Sequence, residues 1–203
     1  ALSPDPPISF RNWLLRHDAC ASAYHWVTSH GHTPESAWTT CDHAGWMLWL
    51  LEHGRVPPAQ QKALLRVLMP EFHQMVNLPL EPEEAVTSWL VEGDADAVAQ
   101  LHAQYAVLVM AEHRLTGELA ALPLQDPARV DGARRLYLVK THRALAEFLM
   151  SDDVWGLGLV GEYMHRALST WSHEPRNASA LANKIRDLCS WKEISDYFQH
   201  ITA

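Results

Sequence analysis

Apolar residues along this chain recur three and four positions apart, and helix-starting and helix-ending residues punctuate the pattern densely. Residues 8–17 carry Phe10, Trp13 and Leu14, enough for a short amphipathic helix. Residues 19–30 put Ala23, Tyr24, Trp26 and Val27 on one side, and Gly31 follows as a C-cap. Thr33 before Pro34 is an N-cap with proline at the first helical position, where its missing N–H costs nothing. That helix extends to about residue 42, and a fourth runs from His43 to Gly54.

Longer elements follow. Pro57 and Pro58 open a helix through Leu64, Leu65, Leu68 and Met69, which Pro70 should kink or end. Pro82 opens another that stops at Gly93, and Asp94 caps a long helix over 95–119. Asp126 caps the next break, ahead of a helix over 134–150. Helices over 151–172 and 177–189 complete the series, and Ser190 with Glu193 three residues later forms a capping box for the last. No segment alternates long enough for a strand, and no Asn-Gly or Asp-Gly hairpin signal occurs. The pattern predicts an all-α fold of about nine or ten helices, with short N-terminal hairpins packed on a longer C-terminal bundle. It is read as one helical domain over 1–203, with possible sub-layers at 8–77 and 82–203.

Composition narrows the function. The 203 residues hold 16 Lys+Arg against 24 Asp+Glu, a formal charge of -8. Such a surface does not displace counterions from phosphates, so direct nucleic-acid binding is not expected. Three cysteines are too few for a disulfide framework. With no apolar run near a membrane span, the expected setting is a reducing cytoplasm.

Histidine is over-represented, at 13 residues. His30, His32, Cys41 and His43 are a ligand set of the types zinc prefers. Yet each pair is two residues apart, which on a helix points the side chains about 200° apart. Only the Gly31 turn could bring His30 and His32 together. A second candidate set is His102, His142 and His165 on the long helices. In it Glu162 and His165 stand at the Glu-x-x-His spacing of di-iron bundles, which need two such pairs. The plain alternative for both sets is separate polar side chains. Gly156-x-Gly158-x-x-Gly161 matches the dinucleotide fingerprint by letter, but no strand precedes it. Its glycines are better explained by close approach of another helix. No nucleophile elbow, zincin motif or phosphate loop is present, so no catalytic residue is assigned and no cofactor is called for.

Nine tryptophans stand out, five of them within the first 49 residues. Trp46 and Trp49 share a helical face, either as core or as a partner-binding patch, since tryptophan is enriched at binding hot spots. A second partner-binding candidate is the acidic stretch Glu83, Glu84, Glu92, Asp94 and Asp96, which would suit a basic partner. Its plain reading is solvated helix ends.

The arrangement Cys20-x5-Trp26, then Ala37-Trp38-x2-Cys41-x4-Trp46-x-Leu48-Trp49-Leu50, resembles a group of small helical proteins of unknown function. They come from phage-related and bacterial genomes, and some are labelled immunity proteins. The segments around Trp89 and from Ile185 to Trp191 are similar to that group too. Ala44 and Gly45 depart from it where Gly-Asp is usual, and so does Ser190 where Pro is usual. The resemblance implies a helical fold and a non-enzymatic role, in host-cell cytoplasm if phage-encoded. The expected function is therefore stoichiometric protein binding or inhibition. A metal-dependent helical-bundle enzyme and a structural component of a phage-type assembly are the alternatives.

Overall fold

A computed structural model of the chain describes residues 5–78, 95–151, 156–169 and 176–203. Ten α-helices occur among them: α1 Phe10–Arg16, α2 Ala21–His30, α3 Pro34–Thr40, α4 Ala44–His53, α5 Pro58–Val76, α6 Ala95–Ala121, α7 Ala128–Met150, α8 Leu157–Ser169, α9 Arg176–Leu188 and α10 Trp191–Ile194. A 3-10 turn at Ser195–Phe198 follows α10. The all-α expectation holds, with one addition. Ile8–Ser9 (β1) is extended and pairs in parallel with Ile201–Thr202 (β2), Ile8 opposite Ile201. Strands of two residues leave no periodicity to read, so this tie between the two ends of the described chain has no sequence signal.

Local chemistry explains most boundaries. The Ser9 hydroxyl accepts from the Asn12 N–H and starts α1 after the strand. Thr33 and Ser36 satisfy each other's backbone N–H in a capping box at α3. Other boundaries depart from expectation. α5 runs through Pro70 to Val76: the proline sits on the exposed side, while Leu68, Met69, Phe72 and Val76 are buried and hold both halves on the core. α7 begins six residues earlier than expected, because the Asp126 carboxylate caps the N–H of Ala128. Ser190 precedes α10 but makes no side-chain cap bond; its carbonyl, not its hydroxyl, takes the Glu193 N–H. The helix expected over 82–93 lies outside the described residues.

The tightest packing is between α4 and α8, with α8 also flanking α7 and α7 pairing with α6. α9 lies against α5, α4 and α8. N- and C-terminal parts share one cluster of buried residues, from Phe10 to Ile201. Trp38, 1% exposed, donates its indole N–H to the Cys189 carbonyl at 3.1 Å. In return Arg186 of α9 donates to the carbonyls of Trp38 and Cys41, at the end of α3. Those carbonyls have no partner within their own helix, so the guanidinium supplies one.

Candidate functional site

The four N-terminal helices enclose a shallow apolar cleft of about 40 Å³, lined by Phe10, Leu14, Trp26, Trp46, Trp49 and Leu50 among others. The tryptophans divide into two groups. Trp13 and Trp38 are buried, at 2% and 1%. Trp26, Trp46 and Trp49 are half-buried and pack against the core with part of each ring open. Trp46 and Trp49 share the cleft but have different neighbours. Trp49 sits edge-on to Trp13 at 5.7 Å and leans on His53 at 4.3 Å. Trp46 faces Trp26 at 5.8 Å and stacks on His43 at 4.6 Å, their planes 3° apart. Cys41 is buried among the tryptophans that line the cleft, whereas Cys20 is exposed at the start of α2.

From Trp26 and Trp46 a row of rings runs both ways. His32 leans on Trp26 at 4.2 Å and stacks with His30 at 5.6 Å. At the other end His43 stacks on His165 of α8 at 3.6 Å, with planes 14° apart. The order along the row is His30, His32, Trp26, Trp46, His43, His165. Four of the histidines singled out as metal candidates are thus members of one aromatic row.

Neither candidate ligand set is gathered at one point in this arrangement. Two indoles separate His30 and His32 from His43. The Nδ1 atoms of His30 and His32 are engaged by the Trp26 carbonyl at 2.9 Å and the Ser36 hydroxyl at 3.0 Å. The Cys41 sulfur is buried and takes the His43 N–H at 3.4 Å, and burial pushes its thiol up to about 11. The second set is spread over three places. His102 is exposed on α6, and His142 of α7 is buried against His73 of α5 with their Nε2 atoms 2.9 Å apart. His165 is stacked on His43. Among the described residues no three His, Cys, Asp or Glu side chains are placed to hold one metal ion. Glu83, Glu84, Glu92 and Asp94 lie outside the described residues; the backbone of Asp96 is in the first turn of α6.

His43 is the most constrained member of the row. Its Nδ1 accepts the Trp46 N–H at 3.3 Å and so caps α4. An accepting Nδ1 carries no proton, which leaves the proton on Nε2, 3.5 Å from the Glu162 carboxylate. Glu162 is held in turn by Arg166 at 2.9 Å. Burial, and then the neighbouring His165, push the His43 pKa well below the ordinary histidine value. His165 is lowered for the first of these reasons, and its Nδ1 is buried with no hydrogen-bond partner among the described residues. The site favours two neutral imidazoles.

The glycine fingerprint has its own occupant. The Glu52 carboxylate accepts from the N–H groups of Gly156 at 2.7 Å and Gly158 at 2.9 Å, at the point where α8 begins. An acidic side chain of the protein thus fills the place where a dinucleotide fold would hold pyrophosphate. Gly156 has φ +118°, a conformation L side chains rarely adopt. Gly161 and Gly45 let α8 and α4 touch backbone to backbone. The close-approach explanation of the fingerprint is the one the geometry supports.

Sequence reasoning picked out Glu162 and His165 as a pair on one helix face, but not His43 as their neighbour. It missed the contacts of His17 with His53 (Nδ1 atoms 3.2 Å apart) and of His73 with His142. Each joins helices far apart in sequence, and no local spacing signals that. No protein-family model matches the chain, and no curated protein or solved structure matches it either. No helix among the described residues is long and apolar enough to cross a membrane.

Proposed function

We propose that this chain is a protein-binding module that acts by stoichiometric contact, with the Trp26–Trp46 cleft as its docking site. The observation that carries this reading is the half-open indole pair over an apolar floor. Large indoles held rigid by neighbours on both sides provide apolar contact area with little further loss of side-chain entropy on binding. The cleft has room for one small aliphatic branch, and its walls are apolar throughout. The partner expected is a protein that inserts an aliphatic side chain there and carries basic residues around it, complementary to a chain of net charge -8. The resemblance to small helical proteins of phage-related and bacterial genomes agrees with an inhibitory role of this kind.

The test is affinity purification from native lysate with the native chain and with Trp26→Ser and Trp46→Ser in parallel, followed by mass determination of the complex. One partner recovered at 1:1, and lost at least about tenfold in either variant while helicity is kept, supports the reading. A partner retained equally by the variants contradicts it.

A further inference from the structure

His17 and His53 meet at the ends of two helices. His17 caps the C-terminal end of α1, and His53 is the last residue of α4. Their rings are edge-on, 5.2 Å between centres and 73° between planes, with the Nδ1 atoms 3.2 Å apart. Nitrogens, not ring faces, are what meet. Each ring is backed by an indole: Trp13 lies 4.5 Å from His17, and Trp49 lies 4.3 Å from His53. The two indoles are themselves edge-on at 5.7 Å. Four packed rings leave the imidazoles little freedom to part.

That spacing is the spacing of a metal-ligand pair. Zinc binds imidazole nitrogen at about 2.0–2.1 Å, and a tetrahedral shell then sets neighbouring ligand nitrogens about 3.3 Å apart. A ligating histidine must also be neutral. Burial, followed for His17 by the charge of His53, holds both rings below the ordinary histidine value. Arg16, Arg55 and His200 act on His17 in the same direction, and the exposed Asp18 carboxylate acts against it at His53. Both rings stand at C-terminal helix ends, where the carbonyl dipoles favour a cation and offset part of the repulsion from the two guanidiniums.

We propose that His17 and His53 bind one zinc-class transition-metal ion through their Nδ1 atoms, with water in the remaining positions. Among the described residues no third protein ligand is placed beside them, so the site is an open one. Imidazole nitrogen suits zinc, copper and nickel, whereas magnesium and calcium require oxygen donors. Without a metal, one Nδ1 carries a proton and donates it to the other. On binding, that ring holds its proton at Nε2 instead, so no net proton is released at neutral pH. Neither histidine belongs to the ligand sets considered from the sequence, and neither lines the tryptophan cleft.

The probe is zinc, titrated into the full chain without a histidine tag and followed by the shifts of the imidazole nitrogens. One ion per chain is expected, with the Nδ1 signals of His17 and His53 moving first and together, and magnesium should move neither. His17→Gln and His53→Gln should each weaken zinc at least about tenfold, since losing a ligand costs no less than losing a group that supports one. His25→Gln, at an exposed histidine of α2, should leave zinc affinity unchanged. Zinc that moves other histidines first, or binds all three variants equally, is surface binding only and overturns the site. No saturable shift at His17 and His53 overturns it as well. Should the two ligand variants not fold, the order of shifts on the native chain decides alone. None of these readouts depends on a partner at the Trp26–Trp46 cleft, so the metal site stands or falls apart from the protein-binding reading.

Discussion

Gly45 and Gly161 are the contact on which the α4–α8 crossing turns. A Cβ on Gly161 would lie 3.0 Å from the Gly45 Cα, and a Cβ on Gly45 would lie 2.9 Å from the Glu162 Cα and N. Real Cβ atoms essentially never come within 3.0 Å of backbone, so a methyl group at Gly45 forces the helices apart, and one at Gly161 presses on the Gly45 backbone at that limit. This approach is also what lets His43, at the start of α4, stack on His165.

Gly45→Ala is accordingly expected to destabilise the protein by about 2–4 kcal/mol, an overpacking cost with backbone on the receiving side. Gly117→Ala is the matched control. Gly117 lies within α6 with nothing within 4 Å of a Cβ, so the same change should gain about 0.5–1 kcal/mol from helix propensity. Urea unfolding measures both, and equal effects at the two glycines would contradict the crossing.

Glu52 caps the start of α8 from α4, a hundred residues away in sequence. Glu52→Ala should cost about 1–2 kcal/mol, because two N–H groups lose their acceptor. Glu52→Gln keeps one acceptor oxygen and should fall between the two. Thermal melts in low salt check this. A Gln variant as stable as the native chain would mean the negative charge adds nothing at the helix terminus.

The sequence carried the helices well, because each start needs a residue that can satisfy free N–H groups and each amphipathic face needs spacing of three and four. Thr33-Pro34, Gly31 and Asp126 were readable for that reason. Pro70 misled, because its place on the exposed side of α5 depends on where the core lies, and local sequence does not say. The site was legible in its parts only. Trp46 with Trp49 and Glu162 with His165 were visible as pairs on one face. The row that joins Trp46 to Trp26 and, through His43, to His165 needs α2 to meet α4 and α4 to cross α8, a crossing that glycines hint at without naming a partner.

Acid should loosen the α4–α8 contact. The His43 pKa is lowered to about 4 in the folded state, by burial first and then by His165, against the ordinary 6.5 of an unfolded histidine. Between those values the unfolded chain binds more protons than the folded one, so stability falls as pH drops from 6.5 toward 4. Protonation also takes the lone pair with which Nδ1 caps α4. With allowance for partial solvent exposure, this histidine contributes a loss of about 1–2 kcal/mol across that window. His142, fully buried against His73, adds to the loss in the same direction. Urea midpoints at pH 7 and pH 5 measure the sum. His43→Asn, which keeps a side-chain cap without a titrating ring, should flatten the dependence. A slope unchanged in that variant would assign the acid sensitivity elsewhere.

The docking claim is tested most directly by photo-cross-linking in native lysate. A benzophenone amino acid replaces Ser29, one turn from Trp26 on α2, in one sample and Gly117 on α6 in another. The account predicts a single adduct from position 29, with the mass of one partner chain, that disappears when Trp46→Ser is added. It predicts no matching adduct from position 117. The same adduct from both positions, or an adduct at 29 that survives Trp46→Ser, would contradict a docking site at the tryptophan cleft.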